Sequence, residues 1–116
     1  MSPGTPYSRE HLLAIFDRAV SDRDVDRAFQ AGRAAAPLPL DRALRLTVLL
    51  GHLGDRRYPI AARRFVARFA VEAEPTLKQV SKVADALDCI GITDELPMLR
   101  EGADRALEDL ERQLRA

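Results

Sequence analysis

Pro37, Pro39, Pro59, Pro75 and Pro97 each fall between stretches whose apolar residues recur at helical spacing. A proline inside a helix removes a backbone donor and clashes with the preceding turn, whereas at a boundary or in a first turn it costs little. No apolar–polar alternation persists anywhere, and β-branched residues are few. This punctuation restricts the chain to an all-α fold of about six short helices. Short connections make consecutive helices antiparallel neighbours. They can close into a compact bundle or stack as helical hairpins in a short solenoid.

The first helix is predicted from Ser8, a natural N-cap, to about Val20, with Leu12, Leu13, Ile15, Phe16, Ala19 and Val20 on one face. The second is expected to begin at Ser21, where Ser-Asp-Arg-Asp resembles a capping box, and to end before Pro37. The third, over residues 40–53, carries apolar residues over so wide an arc that it is expected at the centre. Gly54 and Asp55 end it. The fourth runs from Tyr58-Pro59 to about Ala73, with Ala61, Ala62, Phe65, Val66 and Phe69 inward. Pro75 opens the fifth, with Leu77, Val80, Val83, Ala84, Leu87 and Ile90 inward and Gly91 as the stop. Thr93 or Asp94 is expected to cap the sixth. Its seam is Leu96, Leu99, Ala103, Ala106, Leu107, Leu110 and Leu114.

The 116 residues suit one domain, here 8–116 behind a flexible Pro/Gly-rich segment 1–7. That segment has neither a basic region nor an apolar core, so it does not read as a signal peptide. The apolar run from Leu46 to Leu53 is too short to span a bilayer. Net charge is zero, so no overall field favours nucleic acid or an anionic membrane. The single cysteine, Cys89, excludes an internal disulfide and a cysteine zinc site, and fits the cytoplasm.

Candidate chemistry is thin. His11 and His52 lie on different helices, in no metal-binding spacing. Cys89, beside Ile90, reads as a small hydrophobe, with no base to activate it. Asp22, Asp24 and Asp26 alternate as at the start of a calcium loop, but Arg27 and Arg33 stand where its glycine and glutamate belong. They read instead as acidic residues at a helix N-terminus. Gly91-Ile92-Thr93 resembles the turn of a helix-turn-helix. The helix after it opens with Asp94, Glu95 and Pro97, which face phosphates badly. No cofactor motif occurs, and no cofactor or metal is expected.

The sharpest signal is charge segregation. Residues 41–72 hold seven arginines against three acids, whereas residues 73–116 hold six basic and ten acidic residues. On the fourth helix Arg57, Arg64 and Arg68 share an azimuth, bordered by Ile60 and Val71. One reading is a solvated face, with the two halves neutralising each other through weak ion pairs. The other is a contact surface, because apolar residues mixed with arginine typify protein interfaces. The sixth helix approximates heptad spacing, which allows either closure of the domain's own core or self-association.

The run from Leu46 to Ala73 contains Leu-Gly-Asp-Arg-Arg-Tyr-Pro and Ala-Ala-Arg-Arg-Phe. In it the chain resembles small all-helical proteins of actinobacterial genomes. There a helix ends in Gly-Asp-x-Arg-Tyr and the next opens with Ala-Ala-x-Arg-aromatic. The resemblance covers about a quarter of the chain and implies the same helical hairpin. It brings no activity, cofactor or site residue.

The resulting expectation is a cytoplasmic, non-enzymatic interaction module that binds a protein partner with an acidic surface. Its predicted contact residues are Arg57, Ile60, Arg64, Arg68 and Val71. A homo-oligomer formed through the last helix is a further possibility. The alternative is a regulatory protein touching nucleic acid through the same arginines, with binding that falls steeply with salt. A small enzyme built around carboxylates and His52, or a small-molecule-binding protein, ranks third, because no spacing implies the paired groups that acid–base work needs.

Overall fold

The computed structural model describes residues 7–91 and 97–115. Six helices follow in order: α1 (Arg9–Ser21), α2 (Val25–Ala34), α3 (Leu40–His52), α4 (Tyr58–Glu72), α5 (Leu77–Gly91) and α6 (Pro97–Arg115). They pair as three consecutive hairpins, α1/α2, α3/α4 and α5/α6, and α3 touches every other helix. The hairpins therefore form a row around a central rod, 51 × 30 × 22 Å in extent. The radius of gyration of 14.7 Å slightly exceeds the roughly 13 Å of a compact 100-residue domain, as a short row requires.

Local chemistry explains most boundaries. Ser8 caps α1, its hydroxyl accepting from the His11 N–H at 3.1 Å. The second cap departs from the sequence expectation. Ser21 is the last residue of α1, and Asp24 caps α2 by accepting from the Arg27 N–H at 3.2 Å. The tight α1–α2 turn explains this, since Arg23 takes a positive φ of 59° and the Asp24 N–H returns to the Ala19 carbonyl at 2.8 Å. A chain reversed that sharply cannot start a new helix at Ser21. Gly54, at φ 63°, ends the α3 region as predicted. The expected cap at Thr93 or Asp94 and the mobility expected of residues 1–7 lie outside the described residues, apart from Tyr7, which is exposed.

One core runs through the row. Phe16, Leu44, Leu50, Phe65, Leu87 and Ile90 have side chains 2% exposed or less. Tyr58 joins three helices: its ring lies against Gly51 of α3 and Gly91 of α5, and its hydroxyl donates to the Leu87 carbonyl. A Cβ at Gly51 would stand 2.8 Å from the Tyr58 ring and would also overlap Ile90. Both glycines are thus there for close approach. Burial pushes the Tyr58 phenol well above the ordinary range, with nearby Asp88 and Cys89 adding to it.

Two predicted core residues face water. Leu77 is 83% exposed and Leu99 56%. Leu77 opens α5 and Leu99 lies in the first turn of α6, where no neighbouring helix covers them. Helical spacing identifies a face but not where its covering ends. Ala103, Leu107 and Leu110 of the α6 seam are buried in the chain's own core.

Candidate functional site

The five predicted contact residues lie on one side of α4, but they divide into two groups. Arg57 and Arg68 are anchored within the chain. Arg57 precedes α4, and its Nε and Nη2 donate to the two Asp55 carboxylate oxygens at 2.9 and 2.8 Å. It also stands 3.6 Å from Asp26 and 4.5 Å over the Phe29 ring of α2. These side-chain bonds, with the Arg57 N–H also donating to Asp55, hold the Asp55 carboxyl down at about 2. Arg68 donates to Glu72 at 2.6 and 3.1 Å, which holds the Glu72 carboxyl below its usual value, and to the Leu38 carbonyl at 2.7 Å.

Ile60, Arg64 and Val71 form the second group. Ile60 is 52% and Val71 77% exposed, each far above a core residue. Arg64 is exposed and, among the described residues, makes no hydrogen bond or ion pair; neighbouring Arg63 is the same. With about 3.6 residues per turn, Ile60, Arg64, Ala67 and Val71 fall on one outward stripe. Arg57 and Arg68 sit at its edge toward α2.

A second cluster, which sequence reading missed, binds α3 to its other neighbours. Asp17 of α1 accepts from Arg42 at 2.9 Å through both oxygens, and from Arg45 at 3.1 Å. The Arg45 Nε also stands 3.2 Å from Glu111 of α6. Further along, the His52 ring meets Asp104 at 2.9 Å through Nε2 and Arg100 at 3.3 Å through Nδ1. A guanidinium only donates, so Nδ1 accepts and Nε2 carries the proton toward Asp104. Both ring nitrogens are thus occupied. Positions 45, 48, 49 and 52 run against 111, 108, 107 and 104, giving charged rungs at each end and Val48, Leu49 and Leu107 between. A cleft of about 320 Å³ opens over this middle, with Val20 and Arg23 on its α1 side. The only sequence hint was turn spacing along α3; the partners are distant in the chain.

The remaining candidates are structural. Asp24 caps α2, Asp26 meets Arg57, and Asp22 lies 3.6 Å from Arg18. His11 is exposed and packs on the Tyr7 ring at 4.6 Å. Cys89 is half-buried and free. Among the described residues no group of His, Cys, Asp and Glu could hold a metal ion, and no helix is long and apolar enough to cross a membrane. The segment resembling a helix-turn-helix falls partly outside the described residues.

Comparison of the chain with protein-family models, with curated proteins and with solved structures finds no match in any of the three.

Proposed function

We propose that this chain is a non-enzymatic interaction module that presents the outward side of α4 to a protein partner in the cytoplasm. One observation carries the reading: Ile60 and Val71 are exposed on the same stripe as Arg64, whose guanidinium has no partner among the described residues. Arg57, just before α4, is anchored by Asp55 and Arg68 by Glu72, whereas Arg63, like Arg64, has no partner among the described residues. An exposed apolar pair flanking an uncommitted arginine matches the composition of interface cores. In this reading Arg57 and Arg68 set the orientation of the stripe, and Ile60, Arg64 and Val71 make the contact.

The test is capture from the native lysate with tagged protein, with and without nuclease. The wild type is expected to retain a stoichiometric, nuclease-resistant protein that the Ile60→Glu/Arg64→Glu/Val71→Glu variant does not. Equal retention by both would remove α4 as the site. Material that disappears with nuclease would move the function to nucleic acid.

A further inference from the structure

We infer that the place where the C-terminal part of α4 meets α5 and α6 is a binding site for an amphipathic carboxylate, an alkyl chain carrying one acid group. The site is separate from the α4 stripe, since none of Ile60, Arg64 and Val71 lines it. A cavity of about 410 Å³ opens there, within the roughly 300–1,000 Å³ typical of small-molecule sites. Packing explains it. Both α4 and α6 pack on α5, but no Cα of α4 lies within 8 Å of a Cα of α6 among the described residues. Ala73 at the end of α4, Ala86 on α5 and Ala106 on α6 all line the gap, and their methyl groups are too small to close it.

The floor is aliphatic. Val83, Leu107 and Leu110 belong to the core and also line the cavity, and Leu114 extends the apolar surface along α6. Phe69 closes the α4 side, its ring stacked on Phe65. The rim is polar. Lys82 is exposed on α5 and, among the described residues, has no hydrogen-bond or ion-pair partner. Gln79 stands about one turn before it. The Gln79 side-chain oxygen accepts from the Thr76 N–H at 2.8 Å, which fixes the amide and leaves its NH2 group to donate. Gln113 brings a second amide from α6. The one acid among the lining residues, Asp109, is engaged by Arg112. An uncommitted ammonium and two amide donors thus border an aliphatic floor, where a carboxylate can accept from all three.

Three features select this ligand class. A single lysine balances one negative charge, whereas a phosphate dianion would meet no second cation and no arginine fork among the lining residues. Phe69, the one aromatic lining residue, is 4% exposed, so a nucleobase would find no open ring to stack on. An alkyl chain conforms to the aliphatic floor and removes its surface from water, while the acid group stays at the wet rim beside Lys82.

The probes are hexanoate, octanoate and decanoate, with decanol as the uncharged control, titrated into the full chain labelled with nitrogen-15. Shifts should concentrate in α5, α6 and the C-terminal part of α4. Affinity should rise about threefold per added methylene. Decanol should bind about tenfold more weakly than decanoate, as expected for loss of a charged hydrogen-bonded contact. Lys82→Gln should erase that difference while leaving decanol binding unchanged. Ala106→Leu narrows the cavity and should weaken decanoate more than hexanoate. Circular dichroism checks that both variants fold. The Ile60→Glu/Arg64→Glu/Val71→Glu variant should bind decanoate as the wild type does, so failure of the α4 reading leaves this test intact. Equal binding of decanol and decanoate, no gain with chain length, or shifts spread over α1 and α2 would overturn the inference. So would shifts that follow protein concentration without any ligand, which would make this face a contact between copies of the chain.

Discussion

The two sides of α3 handle arginine differently. Toward α1 and α6, Arg42 and Arg45 converge on Asp17, Arg45 also meets Glu111, and His52 is held between Asp104 and Arg100. Each bond there joins residues at least 25 positions apart or in different helices, so the charges act as stitching between hairpins. Toward α2 and α4, the anchored arginines use mostly nearby carboxylates, Asp55 and Glu72, and Arg33, Arg63 and Arg64 are left over. Arginine density alone does not mark a contact surface. What separates the two sides is how many carboxylates arrive from another helix: Asp17, Glu111 and Asp104 on the first, and among the described residues Asp26 alone, 3.6 Å from Arg57, on the second. Sequence segregation of charge overstated the contrast, because Arg45 is in part neutralised by the acidic C-terminal third through Glu111.

The largest effect should come from the core beneath both sides. Phe65, 2% exposed on the inner side of α4, is expected to cost about 3–5 kcal/mol when truncated to alanine, read by urea unfolding. A loss under about 1 kcal/mol would mean that α4 is not packed as described. Next comes Asp17→Ala, which leaves Arg42 and Arg45 without their shared counter-charge. The side chains concerned are 26–34% exposed, so screening limits the expected loss to about 1–2 kcal/mol. Removing Arg42 as well should recover part of it. If Asp17→Ala is neutral, the side facing α1 and α6 is no more stitched than its opposite, and the comparison collapses.

How much of this was legible follows from range. The six helices and the central place of α3 were readable, because caps, prolines and apolar spacing act within one or two turns. The shared azimuth of Arg57, Arg64 and Arg68 was readable for the same reason. Their division was not, since it depends on Phe29, Leu38 and Asp26 arriving from another hairpin. His52 with Asp104 was invisible because 52 residues separate them. Leu77 and Leu99 were misplaced because their spacing is that of a buried face, while the covering helix ends before reaching them.

Arg57 offers a smaller and pH-dependent test. The Asp55 carboxyl is lowered from 3.8 to about 2, chiefly by the Arg57 side-chain bonds. A depressed folded-state value means stability that is present above the unfolded value and lost as pH falls toward the folded one. The stability gap between wild type and Arg57→Ala should therefore be full at neutral pH and shrink between about pH 4 and pH 2. Urea unfolding at three pH values in and above that window reads it. A gap constant across the window would mean that Arg57 acts through Phe29 rather than through Asp55.

The smallest expected effect is the most discriminating. Arg64 adjoins Phe65 on the same helix, yet it has no partner among the described residues, so Arg64→Ala should change stability by less than about 0.5 kcal/mol. Arg33→Ala on α2 should do the same. Neutral stability at both positions is what a surface held for contact requires, since nothing inside the chain would then account for these arginines. A loss above about 1 kcal/mol at either would give that arginine an intramolecular role instead. The side of α3 facing α2 and α4 would then be stitched like the other, and the asymmetry that supports a contact function would be gone.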